Sequence, residues 1–381
     1  MNKIKSKLPN VGTTIFTTIG QLANAHNAVN LSQGFPNFDP DPKLLQLVTQ
    51  AFTKGYNQYA PMQGAFSLRE TISEKIESLY GKYYHPESEI IITAGATQAI
   101  FTTISTFVHP GDEVVVIKPA YDSYEPCIEL FGGKIVQVAL EGNAFKMNWQ
   151  KFKSVIGPKT RMVIINTPHN PTGTIWSEND MLQLQEILKG TDILLLSDEV
   201  YEHIVFDGKQ HESAAKYTDL ASRSIICSSF GKTFHATGWK MGYCTAPKPL
   251  MQEFQKVHQF NVFSVNHAIQ IALAEYLKYP EHYLNLGNFY QEKRDYFLNA
   301  IQDSRFNIAP SAGTYFQLLD YSNITKEKDT DFAERLIKEH KLASIPVSVF
   351  CGKDYDKKFL RFCFTKTEDV LDQAAEILLQ I

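Results

Sequence analysis

The residues with the clearest chemical potential lie in one short segment, 227–240, which reads Cys-Ser-Ser-Phe-Gly-Lys-Thr-Phe-His-Ala-Thr-Gly-Trp-Lys. The amine of Lys232 in this segment can serve as a nucleophile or as a base. The triplet Gly231-Lys232-Thr233 resembles the end of a nucleotide-binding P-loop, but that motif needs a glycine five positions before the Gly-Lys pair, where this chain has Ile226. Taken alone, Lys232 fits a solvated surface lysine better than a catalytic one.

Three other segments place polar groups where apolar runs end. Asp198 ends the run 193–197, and ligands in open α/β sheets bind outside the carboxyl ends of strands, although an acid there could also cap a helix. Asn170 lies in a loop made rigid by two prolines and a glycine, so it is either a turn former or a ligand contact. Segment 93–99 joins a strand to a helix through small residues, which suits either a phosphate or a tight turn.

The elements that must position these residues are predicted from hydrophobic patterning. Short runs rich in Val, Ile and Leu without alternation are typical of strands buried on both faces, and helical patterns at 97–107 and 179–188 separate them. The alternation predicts an α/β protein with a mostly parallel, seven-stranded sheet covered on both sides. The predicted strands are 90–94, 113–117, 135–140, 161–166, 193–197, 224–228 and 241–246.

The pattern changes near residue 283. A long charged helix (283–301), a strand (313–318), a helix (331–340), a strand (360–364) and a last helix indicate a smaller α+β domain. The segment before about residue 40 has no strong pattern and could pack on either domain. We expect a large domain of residues 41–282 and a second part made of residues 1–40 plus 283–381.

Composition narrows the class of protein. The chain has 381 residues and a formal net charge of −4, which argues against a nucleic-acid binder. Its basic start is not followed by a signal peptide's apolar stretch, and no run reaches the roughly 20 residues of a membrane span. The five cysteines are scattered without a Cys-x-x-Cys motif, which is typical of reduced thiols in a cytoplasmic protein. We predict no metal site.

Three of these motifs together resemble the fold-type I, class I/II aminotransferases. They are the segment 166–173 (Asn-Thr-Pro-His-Asn-Pro-Thr-Gly), Ser-Asp-Glu-Val-Tyr at 197–201, and Ser-Phe-Gly-Lys-Thr-Phe followed by Gly-Trp-Lys at 229–240. The match covers nearly the whole chain, from 31 to 361. It looks closest to the kynurenine/glutamine transaminase branch and, through segments 7–16 and 57–62, to bacterial methionine aminotransferases.

The resemblance implies the cofactor pyridoxal 5′-phosphate (PLP). In the family the lysine that matches Lys232 forms a Schiff base with PLP, and its freed amine later moves a proton of the substrate. Burial and the charge of Lys240 are expected to lower its pKa from the usual value of about 10.4. Asp198 matches the carboxylate that pairs with the pyridine nitrogen. Tyr201 and Asn170 match the two donors to the ring oxygen.

The remaining cofactor contacts are also implied by the resemblance. Tyr121 matches the aromatic residue that stacks on the ring. Tyr59 matches a tyrosine that reaches the phosphate of the neighbouring subunit, which implies a homodimer with shared active sites. The phosphate contacts implied within one chain are the backbone of Ala96 and Thr97, the hydroxyl of Ser229 and the ammonium of Lys240.

Arg361 lies in an apolar strand, where a charge needs a partner. It matches the arginine that binds the substrate α-carboxylate through two hydrogen bonds, a geometry that lysine cannot copy. Gly34 matches a backbone contact to the same carboxylate, and Asn170 matches a further substrate contact. A second arginine for an acidic side chain is not identified; the candidate wall offers Phe16, Tyr59 and Tyr121, although Phe16 could instead pack in a core.

The expected reaction is ping-pong transfer of the amino group of L-methionine to a 2-oxo acid, with aromatic amino acids, histidine or glutamine as other possible donors. An uncharged, polarizable side chain fits an aromatic wall. A first alternative is C–S β-lyase action on cysteine conjugates or kynurenine/glutamine transamination by the same residues. A distant alternative is an effector-sensing regulator, which would carry an N-terminal DNA-binding domain; the match begins near Lys7 and leaves no room for one.

Overall fold

The computed structural model describes residues 4–352, 355 and 357–381. The strands within these residues are β1 (Val29–Asn30), β2 (Ile90–Thr93), β3 (Glu113–Lys118), β4 (Lys134–Ala139), β5 (Thr160–Asn166), β6 (Leu194–Asp198), β7 (Ser224–Ser229), β8 (Gly242–Thr245), β9 (Asn307–Ile308), β10 (Phe316–Asp320), β11 (Leu342–Ala343), β12 (Ile345–Pro346) and β13 (Phe359–Cys363).

The helices of the same residues lie mostly between these strands. They are α1 (Ile15–Ala25), α2 (Pro42–Thr53), α3 (Phe66–Tyr80), α4 (Gly95–Phe107), α5 (Tyr124–Leu130), α6 (Trp149–Val155), α7 (Glu178–Leu188), α8 (Thr218–Ala221), α9 (Phe230–Thr233), α10 (Lys248–Asn261), α11 (His267–Tyr276), α12 (Glu281–Leu284), α13 (Leu286–Ala300), α14 (Asp329–His340) and α15 (Glu368–Leu379). Three short 3₁₀ turns add Ala214–Lys216, Thr237–Trp239 and Val347–Phe350.

The large sheet has, among the described residues, seven strands in the order β2-β8-β7-β6-β5-β3-β4. Strand β8 runs antiparallel to both neighbours, and the other pairs are parallel. The predicted mostly parallel, seven-stranded α/β sheet is therefore confirmed. The carboxyl ends of β5, β6 and β7 lie side by side, since Asn166 pairs with Asp198 and Asp198 with Cys227.

Both faces of this sheet are buried, which explains the apolar runs. Along β3, Val115 belongs to one hydrophobic cluster, whereas Val114 and Val116 belong to the cluster on the other face. Successive side chains of a strand point to opposite faces, so a strand covered on both sides must be apolar at every position. Helix α4 packs against β7 and β8, and helices α2, α3 and α11 pack together.

A second, smaller sheet follows in the chain. Among the described residues this sheet has four antiparallel strands, in the order β12-β13-β10-β9. The N-terminal segment lies on this side: β1 pairs in parallel with β11, and α1 contacts β11, β12 and α14. This packing supports the predicted grouping of residues 1–40 with 283–381, and that division stays a prediction.

Most differences from the predicted elements are shifts of one to three residues at their ends. The predicted helix 283–301 is two helices, α12 and α13, and Asn285 lies between them. Helix α4 begins at Gly95, two residues earlier than predicted, because the small residues at its start form part of its first turn. That earlier start matters for the site, since it exposes the first backbone N–H groups of the helix.

Candidate active site

A cavity of about 250 Å³ lies at the carboxyl ends of the central strands, where the large sheet faces β10, β13 and the N-terminal segment. Its place agrees with the general rule for ligands in open α/β sheets. The predicted site residues that line it are Gly34, Ala96, Thr97, Tyr121, Asn170, Asp198, Tyr201, Ser229, Lys232, Lys240 and Arg361.

Tyr59 is the predicted site residue that the described chain does not bring to the cavity. Its side chain is 81% exposed, and its ring contacts that of Phe263 edge-on at 5.5 Å. The prediction assigns Tyr59 to the site of a neighbouring subunit, so the fold of one chain does not test it. Phe16, for which the sequence left open a place in the substrate wall or in a core, lines the cavity.

Lys232 lies in the short helix α9, and its amine points into the cavity. Its Nζ donates to the carbonyl oxygen of Gly34 at 3.2 Å and lies 5.5 Å from the ring centre of Tyr315. Burial lowers the pKa of Lys232 to about 8; the charges of Arg361 and Lys240 act in the same direction. A substantial fraction of this amine is therefore neutral near pH 8, as a nucleophile or base requires.

Asp198, the last residue of β6, is only 4% exposed. Tyr124 donates its hydroxyl hydrogen to Oδ2 at 2.5 Å, and the backbone N–H of Val200 donates to Oδ1 at 3.3 Å. Burial raises the pKa of Asp198 to about 6, and the Tyr124 hydrogen bond opposes that rise. The carboxyl is thus mainly ionised at neutral pH and lies against the cavity.

The start of α4 forms a cradle with free backbone donors. Its N-cap, Ala94, has no capping side chain, so the first N–H groups of the helix are open to a ligand. Strand β8 approaches so closely that a Cβ at Gly242 would lie 3.0 Å from the nitrogen of Ala96. Lys240, in a left-handed conformation with φ of 53°, brings its amine near Gly95. A helix N-terminus beside a cation suits a phosphate.

Arg361 on β13 is 1% exposed. Its NH1 donates to Oδ1 of Asn170 at 2.8 Å and its NH2 to the carbonyl oxygen of Ser32 at 3.0 Å. The guanidinium also lies 3.9 Å from the ring centre of Phe316. Within the described residues its Nε has no hydrogen-bond partner. Arg361 lines the cavity, and NH1 and NH2 each carry a second N–H, so the guanidinium can donate to a carboxylate placed there.

Sequence reasoning missed several residues of the site. Tyr124 follows Tyr121 by three positions, and an aromatic at the start of the next helix was the one signal available. Asn166 links two loops, since its Oδ1 accepts from the N–H of Asn170 and its Nδ2 donates to the carbonyl of Asp198. Its place at the end of a buried strand, inside a motif already identified, could have revealed it.

No cluster of three or more His, Cys, Asp or Glu side chains in the described part of the chain is arranged to hold a metal ion. None of its helices combines the length and the apolar character that crossing a membrane requires.

The three parts of the cavity fit PLP. The cradle at α4 and Lys240 suits the phosphate, the ionised Asp198 suits a protonated pyridine nitrogen, and the partly neutral amine of Lys232 suits an aldehyde. The guanidinium of Arg361 at the wall of the cavity suits a carboxylate. An amino-acid substrate supplies such a carboxylate.

Comparisons with known proteins agree with this geometry. The family model for aminotransferase class I and II matches residues 26–378. The chain is 48% identical to the methionine aminotransferase of Escherichia coli (strain K12), over 99% of this chain and 98% of that one. A solved Escherichia coli structure with a methionine aminotransferase function superposes with a TM-score of 0.97 at 47% identity, over 99% of both chains. Human kynurenine–oxoglutarate transaminase 3 is 32% identical over 98% of this chain and 89% of its own. The chain therefore belongs to the class I and II aminotransferases, of fold type I, and it uses PLP.

Proposed function

We propose that this aminotransferase takes the amino group of L-methionine and transfers it to a 2-oxo acid. The observation that carries the proposal is the wall of the cavity. Of the described residues that line it, Arg361 is the one arginine, while Phe16, Ile100 and Phe316 are apolar. One arginine binds the α-carboxylate that all amino acids share, and an apolar wall favours an uncharged, polarizable side chain. The similarity to the methionine aminotransferase of Escherichia coli supports the same donor.

The roles of the cavity residues follow the predicted assignment. Lys232 holds the cofactor, Asp198 pairs with the pyridine nitrogen, and Tyr201 and Asn170 donate to the ring oxygen. Arg361 binds the α-carboxylate, together with the backbone of Gly34 and the side chain of Asn170. The ring and phosphate of the cofactor are held by Tyr121, Ala96, Thr97, Ser229 and Lys240, with Tyr59 contributed by a partner subunit.

The chemistry of these groups is consistent with amino transfer. When bound, PLP supplies an electron sink for the bond broken at Cα and carries the amino group between the two substrates. The Lys232 amine, with its pKa lowered to about 8, can accept a proton from Cα of the donor and, in the second half-reaction, give one to Cα of the amino acid that is formed. Arg361 holds the α-carboxylate of donor and acceptor in turn, so one anchor serves both halves of a ping-pong reaction.

We also propose a homodimer. Tyr59 and the aromatic residues at the end of helix α10 are exposed. Phe263, which contacts the ring of Tyr59 at 5.5 Å, follows the helix and is 45% exposed, and Phe260, in its last turn, is 87% exposed. Large exposed rings of this kind usually mark an interface. If Tyr59 of the partner subunit completes the site, mixing Tyr59→Phe protein with Lys232→Ala protein should restore part of the activity that each lacks, whereas a monomeric enzyme would show no such rescue.

We further propose that the enzyme is located in the cytoplasm. The five cysteines are free in the part of the chain that the structure describes, which supports a reducing compartment.

A half-reaction screen tests the proposed donor. Purified, PLP-loaded protein is mixed with each amino acid, and conversion of the yellow form to the pyridoxamine form is followed by absorbance. We expect methionine to react with a higher second-order rate constant than aspartate or glutamate, because their second carboxylate would meet an apolar wall. A rate constant for aspartate far above that for methionine would contradict the proposal.

The second candidate, kynurenine/glutamine transamination or C–S β-lyase action on cysteine conjugates, is favoured by the 32% identity to a kynurenine transaminase. The β-lyase activity and the transaminase activity differ in their products. A β-lyase releases pyruvate and ammonia from a cysteine conjugate without any 2-oxo acid acceptor, while a transaminase needs the acceptor for each turnover.

A further inference from the structure

Tyr124 contacts two of the residues assigned to the cofactor. Its hydroxyl donates to Oδ2 of Asp198 at 2.5 Å, and its ring meets the ring of Tyr121 edge-on at 5.7 Å. Only 2% of Tyr124 is exposed. The residue is the first of α5, which follows β3, so its side chain reaches past β5 to the end of β6.

We propose that Tyr124 is a positioning residue: it holds Asp198 as an oriented carboxylate that faces the pyridine nitrogen of PLP, and it acts through Asp198 rather than on the substrate. This inference rests on the proposed pairing of Asp198 with the cofactor.

The orientation of the Asp198 carboxylate is fixed by two donors. A carboxylate has two oxygens and can rotate, and each oxygen accepts more than one hydrogen bond. In Asp198 one oxygen is fixed by the hydroxyl of Tyr124 and the other by the N–H of Val200. The plane of the carboxyl group is thus set before the cofactor arrives. A short hydrogen bond to a charged acceptor is also a strong one.

Tyr124 also affects the charge state of Asp198. Burial favours the neutral form of Asp198, and the hydrogen bond from Tyr124 is the largest opposing effect. Burial also raises the pKa of Tyr124 well above its usual value, so its hydroxyl keeps its hydrogen and remains a donor. The other titratable groups that interact with Asp198 are Glu199, Lys232, Tyr121, Tyr201 and Cys227.

The test is a Tyr124→Phe variant, which keeps the ring and removes the hydroxyl. The equilibrium dissociation constant of PLP is measured on apoprotein at pH 6.5 and at pH 8.5, each relative to wild type. We expect binding about tenfold or more weaker at pH 6.5, the loss typical of a hydrogen bond to a charged group, and a smaller loss at pH 8.5. The pH dependence arises because the carboxyl without its donor has a higher pKa and is more protonated at pH 6.5.

A matched control is Tyr321→Phe. It removes the hydroxyl of another fully buried tyrosine, which directly follows β10 and donates to the carbonyl oxygen of Glu327. We expect its PLP affinity to equal that of wild type at both pH values. If Tyr124→Phe behaved like this control, or lost the same factor at both pH values, Tyr124 would be a packing residue only and the inference would be wrong.

A double-mutant cycle shows whether Tyr124 acts through Asp198. Asp198→Asn weakens PLP binding on its own, and Tyr124→Phe should add little in that background, because the ionised acceptor is already gone. Equal losses from Tyr124→Phe in both backgrounds would contradict the inference. Wild-type affinity in Asp198→Asn would instead overturn the proposed pairing of Asp198 with the cofactor, so the two failures are distinguishable.

Discussion

Two buried ions of opposite charge, Asp198 at the end of β6 and Arg361 on β13, are held in different ways. The partners of Asp198, the Tyr124 hydroxyl and the Val200 N–H, belong to the framework of the large sheet. The partners of Arg361 come from separate segments: the side chain of Asn170 from the loop after β5 and the carbonyl of Ser32 from the N-terminal segment.

This difference distinguishes two ends of the cavity. We call the Asp198 end the fixed end, and the Arg361 end, where substrates would bind and leave in turn, the exchangeable end. Asp198 has donors on both oxygens, so its orientation is set by one part of the fold. Arg361 is paired with neutral acceptors and retains an unpaired Nε in the described structure. A carboxylate is a stronger partner for a guanidinium than an amide or a carbonyl oxygen. We therefore propose that the Asp198 end binds the cofactor and that the Arg361 end binds and releases the substrates.

The largest effect is expected from Asp198→Asn. It keeps the shape of the side chain but removes the charge that we propose pairs with the pyridine nitrogen. We expect the amino-transfer rate to fall about a hundredfold or more, as when other preorganised electrostatic contacts are lost. PLP affinity should fall as well, while the KM for the amino acid changes little. Asp320→Asn, at the end of β10, is the matched control. If Asp198→Asn changed KM for the amino acid strongly and left PLP affinity unchanged, Asp198 would belong to the substrate end of the cavity and not to the cofactor end.

Arg361→Lys tests the other end. Lysine keeps the charge but cannot form two parallel hydrogen bonds, so kcat/KM for methionine should fall about tenfold to a hundredfold. The dissociation constant of PLP should remain at the wild-type value. The partly exposed Arg335, which pairs with Glu327, provides the control Arg335→Lys. Loss of PLP affinity in Arg361→Lys would show that the two ends are not separate.

Lys232 lies between the two ions, which act on its pKa with opposite sign. Burial lowers that pKa to about 8; Arg361 adds to the lowering and Asp198 opposes it. The neutral amine is the form that bonds to PLP, so the loading rate of apoprotein should rise with pH with a midpoint near pH 8. The midpoint should move to higher pH in Arg361→Met and to lower pH in Asp198→Asn. Stopped-flow absorbance measures it, and shifts of the opposite sign would contradict this electrostatic account.

The smallest effect is expected from Phe16→Ala at the exchangeable end. Phe16 lines the cavity and lies 5.3 Å from the guanidinium of Arg361. Loss of part of this apolar contact, about 1 kcal/mol, should lower kcat/KM for methionine about fivefold and that for alanine less. Phe52→Ala, on the exposed side of α2, should change neither value. Equal losses for methionine and alanine would show that Phe16 supports the fold rather than the side-chain pocket.

The Asp198 end could largely be predicted from the sequence. Buried parallel strands are read from apolar runs, and their carboxyl ends meet at one edge of the sheet, so Asp198 and Asn170 could be placed near each other. The same reasoning located Lys232 after β7. The roles of these three residues were predicted from the resemblance to the aminotransferases, because apolar runs indicate where a residue lies and not what it does.

The contacts that complete each end could not be predicted in this way. Tyr124 and Asp198 are 74 residues apart, and their hydrogen bond depends on where α5 packs after β3. The position of Ser32 beside Arg361 depends on the pairing of β1 with β11, two strands of two residues each, too short to give a pattern. The place of Tyr59 depends on a second chain and stays a prediction.

The most direct test of the central claim, that Lys232 holds PLP, is chemical trapping. Wild-type protein is incubated with PLP, reduced with borohydride, digested and analysed by mass spectrometry, with Lys232→Ala treated in parallel. The account predicts the pyridoxyl-phosphate mass on Lys232 in wild type and on no lysine of the variant. A label on Lys240 or any other lysine of the wild-type protein, or no label at all, would contradict it.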